Sequence, residues 1–114
     1  MDERLEKALE FSNYRTTLAN QKTNLRNRIN TIRTVHYKGS AFTATPTMIA
    51  FLSTMIEPDK SLIVEDDKNN PVDLENPQEL LDQLKSAYHQ AMNEYKAENE
   101  KIKRARNIKK LMDW

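Results

Sequence analysis

Apolar residues step along the first third of the chain at helical intervals. Phe11, Leu18, Leu25 and Ile32 recur every seven residues, with Ala8, Tyr14, Ile29 and Val35 at flanking steps of three or four. Such spacing lays one stripe along one face of an amphipathic helix of coiled-coil type. Neither Gly nor Pro occurs from Asp2 to His36, and the pattern predicts a helix over 2–37. At about 1.5 Å per residue that helix would extend roughly 50 Å. Arg15, Gln21, Lys22 and Arg28 interrupt the second seam position, and "NQKTNLRNRINTIRT" is rich in Asn and Thr, which form helices poorly. Packing against another element has to supply what propensity does not.

"VHYKGSAFTA" breaks the pattern, and Gly39 can end the helix by taking a left-handed conformation. A second period starts at "TPTMIAFLSTMIEP", where Thr45 fits an N-cap, Pro46 the first helical position and Pro58 the stop. The expected short helix covers 46–57. Its apolar face of Met48, Ile49, Leu52, Met55 and Ile56 is the densest in the chain, which places it in the core. In "SLIVEDDKNNPVDLEN", the strand formers Leu62, Ile63 and Val64 precede a turn-forming run and a short "VDL" return. A β-hairpin over 61–74 follows, too small to stand unless packed on a helix.

The last pattern opens at "ENPQELL". Asn76 as N-cap, Pro77 as first residue and Glu79 at the third position form a capping box in its Asn version. Leu81, Leu84, Tyr88, Ala91, Tyr95, Ile102, Ala105 and Met112 then step by threes and fours, predicting a helix over 77–112. Acids in its first turns (Glu79, Asp82) and bases in its last (Lys109, Lys110) suit the helix dipole.

Composition narrows the picture. With 114 residues the chain is expected to be a single domain, 1–114. It is 38% apolar, 31% charged and holds one glycine, which is thin for a compact core and unsuited to an all-β fold. An elongated helical form, or one completed by oligomerisation, accounts for the shortfall. Net charge is only +1, but it divides into blocks of −2 (1–10), +6 (11–56), −7 (57–82) and +4 (83–114). Antiparallel pairing of the long helices sets opposite blocks side by side, whereas parallel pairing sets like beside like. Each exposed pair is worth about 0–1 kcal/mol, so charge selects orientation more than it stabilises. The fold class expected is therefore mainly α: two long antiparallel helices in a coiled-coil-like hairpin, with a head of one short helix and a β-hairpin.

Candidate chemistry is sparse. Without Cys there is no disulfide, thiolate nucleophile or zinc–thiolate site. His36 and His89 have no partner at ligand spacing, and Tyr88 and His89, adjacent on a helix, are expected to face apart. "EDDKNN" is acidic but lacks the Gly and Glu of a calcium loop, so a solvated turn is the plainer reading. There is no phosphate loop and no nucleophile elbow. The expectation is a protein that is not an enzyme, with no catalytic residues, cofactor or metal. No apolar run approaches the ~18 residues that span a bilayer, and "MDERLEKALE" lacks the layout of a secretory signal.

"RLEKALEFSNYRTTLANQK", then "MIAFLSTMI", then "SLIVEDDKNNPVDLEN" leading into a long helix, resembles small proteins encoded by large contractile-tailed phages, including cyanophages. The resemblance carries no catalytic residue. It implies an accessory, assembly or host-interaction protein, acting in the cytoplasm (the host's, if phage-encoded) or associated with the virion.

The functional expectation is an interaction or assembly protein that self-associates or binds a protein partner through its helices, without a membrane. Its candidate contact residues are Phe11, Leu18, Leu25, Ile32, Tyr88, Tyr95, Ile102 and Trp114. The alternative is a nucleic-acid-binding accessory factor, with Arg26, Arg33, Lys103 and Arg106 on phosphates. Against it stand the acidic middle and the apolar steps Ile102, Ala105 and Ile108 inside the basic segment. A third class, an acidic mimic acting through 57–82, is testable by charge reversal at Asp66 and Asp67.

Overall fold

A computed structural model describes the backbone of residues 2–113 and the side chains of residues 2–105. The elements run α1 (Glu3–Arg33), β1 (Thr34–Tyr37), β2 (Ser40–Thr43), α2 (Pro46–Met55), β3 (Leu62–Glu65), β4 (Pro71–Leu74) and α3 (Pro77–Asp113). The chain is mainly helical, and its four strands form two separate antiparallel hairpins, β1–β2 and β3–β4.

Two compact units are present, one of residues 29–94 and one of residues 1–28 with 95–114. The unit of 29–94 holds most of the buried side chains. Phe42, Leu52, Leu74, Leu80 and Leu84 are its largest fully buried residues, joined by Tyr37, Val64 and Leu81. Strand alternation explains which residues face inward. On β1 and β2 the pair Val35–Phe42 turns to the core and the pair His36–Ala41 turns away. On β3 and β4, Leu62–Leu74 and Val64–Val72 face inward, while Ile63 and Asp73 face out.

The first hairpin corrects the expectation of a helix over 2–37. The helix ends at Arg33, and residues 34–37 are strand. Gly39 does take a left-handed conformation, but in a hairpin turn and not at a helix end. Lys38 (φ 51°) and Gly39 (φ 78°) both have positive φ, the backbone that a two-residue turn of type I′ requires. Thr34 helps the change of structure, since its hydroxyl donates to the Asn30 carbonyl at 2.9 Å.

α2 starts as its sequence indicates: the Thr45 hydroxyl accepts from the Met48 N–H at 3.1 Å and Pro46 opens the helix. It ends at Met55, two residues earlier than the expected 57. Leu52 is buried, but Met55 is 46% exposed, so the apolar face is narrower than the sequence suggests. At α3 the Glu79 N–H donates to the Asn76 carbonyl at 3.1 Å. The Glu79 carboxylate accepts from the Tyr37 hydroxyl at 3.2 Å, tying the start of α3 to β1.

In the other unit, the first 26 residues of α1 carry no buried side chain among the described residues. Tyr14, Leu18 and Leu25 are half-buried, whereas Leu5, Leu9 and Phe11 are exposed.

Candidate functional site

The expected contact residues occupy different surroundings. Phe11 is 43% exposed, with the Arg15 guanidinium 5.7 Å from its ring centroid. Leu25 and Ile102 line one cavity of about 350 Å³ together with Arg28 and Lys101, and Lys101 pairs with Glu98 at 3.1 Å. Leu25 also lines a second cavity of about 450 Å³ with Lys22, Arg26, Tyr95 and Asn99. So Leu25, Tyr95 and Ile102 are brought together along α1 and α3, as are Arg26 and Tyr95. Ile32 is half-buried at the last turn of α1.

Tyr88 is half-buried and packs on the core of the 29–94 unit. Its ring lies edge-to-face with His89, centroids 5.9 Å apart at 73°. This corrects the expectation that neighbours on a helix face apart: the Cβ directions diverge by about 100°, but both rings are long enough to converge beyond them. Trp114 lies outside the described residues.

Among the basic candidates, Arg26 and Lys103 are exposed. Arg33 is half-buried; it donates to Asn30 Oδ1 at 3.0 Å, and its Nε is enclosed without a hydrogen-bond partner among the described residues. The side chain of Arg106 lies outside the described residues. His36 is exposed on β1.

The acidic turn between β3 and β4 is more than a solvated loop. Asp66 Oδ1 accepts from the N–H groups of Lys68 and Asn70, both at 2.9 Å, and the Asp66 N–H donates to the Asn70 carbonyl. These backbone hydrogen bonds, Asn70 foremost, hold the Asp66 carboxyl below its ordinary range against an opposing contribution from desolvation. Asn69 takes φ 62°, a conformation Asn tolerates better than most residues. Asp67 reaches out of the turn to β2. Its carboxylate accepts from the Thr43 N–H at 3.0 Å and the Thr43 hydroxyl at 2.7 Å, and its own N–H donates to the Ala41 carbonyl at 2.9 Å. Sequence reasoning missed this clamp, because nothing in the spacing of Asp67 and Thr43 marks them as partners.

Beside the clamp, a groove of about 610 Å³ separates β3 from β2 and α2. Met48, Phe51 and Ile63 give it an apolar floor, and Glu65, Asp66 and Asp67 line one end. Phe51 is 44% and Ile63 68% exposed, and both line this groove. Among the described residues, no three His, Asp or Glu side chains gather into a group that could hold a metal. Among the same residues, no helix is long and apolar enough to cross a membrane.

The fold and its surfaces thus define a mainly helical chain with two β-hairpins around a small core, offering grooves and exposed apolar residues. No family model matches this chain, and neither a curated protein nor a solved structure matches it.

Proposed function

We propose that this protein is a non-enzymatic interaction or assembly factor that works through its long helices, by self-association or by binding a partner protein. The observation that carries the reading is the exposure of Leu5 (50%), Leu9 (46%) and Phe11 (43%) along α1. Leu5 and Leu9 lie one turn apart on one face and Phe11 on another, and covering them by another chain would take their apolar surface out of water. Covering them is worth on the order of 1 kcal/mol each, from about 25 cal/mol per Å² of apolar area. Complementary charge supports an antiparallel course of α1 and α3 in the assembled form, with the acidic start of α1 beside the basic segment 101–110. The shared lining of Leu25, Tyr95 and Ile102 also supports that course.

The resemblance to small proteins of contractile-tailed phages supports an accessory or assembly role, in the host cytoplasm or on the virion. Light scattering tests the core of the proposal. The expected mass is a multiple of 13.4 kDa, falling toward that of one chain when Leu5, Leu9 and Phe11 are all changed to Lys. A strict monomer that captures no partner protein removes the reading.

A further inference from the structure

The groove beside β3 is bounded by a free strand edge, and that edge specifies what fits it. In an antiparallel pair, alternate residues direct both N–H and C=O toward the partner strand. The Asp66 N–H donates to the Asn70 carbonyl, and the register pairs Val64 with Val72 and Leu62 with Leu74. Residues 62, 64 and 66 therefore face β4, and the backbone groups of Ile63 and Glu65 point the other way, toward the groove. Among the described residues, no hydrogen bond reaches the N–H or C=O of Ile63 or Glu65.

Two neighbouring edges are partly blunted. On the far side of β4 stands Pro71, which has no N–H to offer. On β2, Asp67 takes the outward Ala41 carbonyl and Thr43 N–H, and the Thr43 carbonyl accepts from the Thr45 N–H. The β3 edge, among the described residues, carries donors and acceptors next to an apolar floor.

We infer that the β3 edge is a docking site for an extended basic peptide segment of a partner protein, which adds as a strand beside Ile63 and Glu65. Main-chain hydrogen bonds to those two residues would hold it, with its apolar side chains on Phe51 and Ile63. Charge chooses the occupant: the groove is lined by Glu65, Asp66 and Asp67 and by no base. A strand bearing Lys or Arg beside its apolar residues meets those carboxylates, whereas the β3 of a second copy would add acid to acid. The site lies on β3 and α2, so it is separate from the α1 residues on which the assembly proposal rests, and the two stand or fall independently.

The test uses the full chain and a labelled heptapeptide, Lys-Thr-Val-Thr-Lys-Thr-Val, whose Lys and Val side chains share one face as those of Ile63 and Glu65 do. Saturable binding is expected, weakening as salt rises, with amide exchange at Ile63 and Glu65 slowed roughly tenfold or more at saturation. Three changes should each lower affinity by roughly tenfold or more: Glu in place of Lys in the peptide, N-methylation of every peptide amide, and Glu65→Lys in the protein. Glu65 is exposed and its side chain has no hydrogen bond among the described residues, so Glu65→Lys is expected to keep the wild-type melting temperature. The inference is overturned by no saturable binding at millimolar peptide, by equal binding of the N-methylated peptide, or by protection that maps to the helices. It is also overturned if the free protein is a dimer that Ile63→Lys converts to a monomer, which would assign the edge to a second copy.

Discussion

Asp67 holds Thr43 twice, accepting from its N–H at 3.0 Å and from its hydroxyl at 2.7 Å, across 24 positions of sequence. The turn of the second hairpin thereby caps the outer edge of the first, where unpaired backbone groups would otherwise invite another chain. Two hairpins that are each marginal alone become one assembly with α2 and α3. Asp67→Ala is expected to destabilise the protein by about 1–2 kcal/mol, and Thr43→Val by about 0.5–1.5 kcal/mol. The double variant should lose less than the total of the two singles, because both remove the same hydrogen bond. Urea midpoints at constant slope measure this; a wild-type midpoint for Asp67→Ala would contradict the clamp. Charge reversal at Asp67 consequently reports turn loss as well as charge, and Glu65 is the cleaner position for testing an acidic surface.

Tyr37 gives the core an alkaline limit. Burial, then the nearby Glu79 carboxylate that accepts its hydroxyl proton, then Glu75, push the phenol above its ordinary value of 10.0. A group that binds its proton more tightly when folded stabilises the fold fully below its unfolded pKa. That contribution is lost as pH rises through the higher folded value. Stability should therefore fall above about pH 10, and Tyr37→Phe should remove part of that fall. Denaturant titrations from neutral to alkaline pH check it; an unchanged alkaline slope in Tyr37→Phe would refute the assignment.

Asp66 acts at the acid end, with the opposite sign. Its folded pKa lies below the ordinary 3.8 because backbone N–H groups of Asn70 and Lys68 favour the carboxylate. The stabilisation is present above the unfolded value and is lost as pH falls through the depressed folded one. Asp66→Asn keeps an acceptor but no charge, and is expected to flatten the loss of stability below about pH 4. Melting temperatures across the acid range give the readout, and identical acid profiles would count against it.

The nucleic-acid reading makes its own prediction. Arg26 and Lys103 are exposed, whereas Arg33 is half-buried and committed to Asn30. If phosphate contacts matter, Arg26→Gln with Lys103→Gln should weaken a gel shift and lower its salt slope by about one per base lost. Arg33→Gln should instead show as lower stability. The absence of any shift at low salt excludes this function.

A packing test addresses the core. Leu52 is fully buried on α2 among residues from all the neighbouring elements. Leu52→Ala should cost about 2–5 kcal/mol and lower the melting temperature accordingly. Phe51→Ala on the same helix, with its ring 44% exposed, should cost far less.

The chain's local patterns were enough for three helices and one hairpin. Thr45–Pro46 and Asn76–Pro77 mark helix starts chemically, and "LIV" before "DDKNNP" marks a strand and its turn, so local rules suffice there. The hairpin at 34–43 escaped because Ile32 and Val35 satisfy a helical step as well as they begin an alternation. "TVHY-KG-SAFT" is a two-residue turn between β-branched and aromatic runs, a signal that exists but competes with a long helical stripe. What folding in three dimensions added is contact between distant positions, Tyr37 on Glu79 and Asp67 on Thr43, and the meeting of Phe51 and Ile63 at one groove. Those pairs depend on how hairpins and helices pack, and packing energy is not periodic in sequence. Local patterns in the amino-acid order therefore determine the three helices, the second hairpin and the charge blocks, while the first hairpin, the open β3 edge and its groove emerge only once the chain is folded.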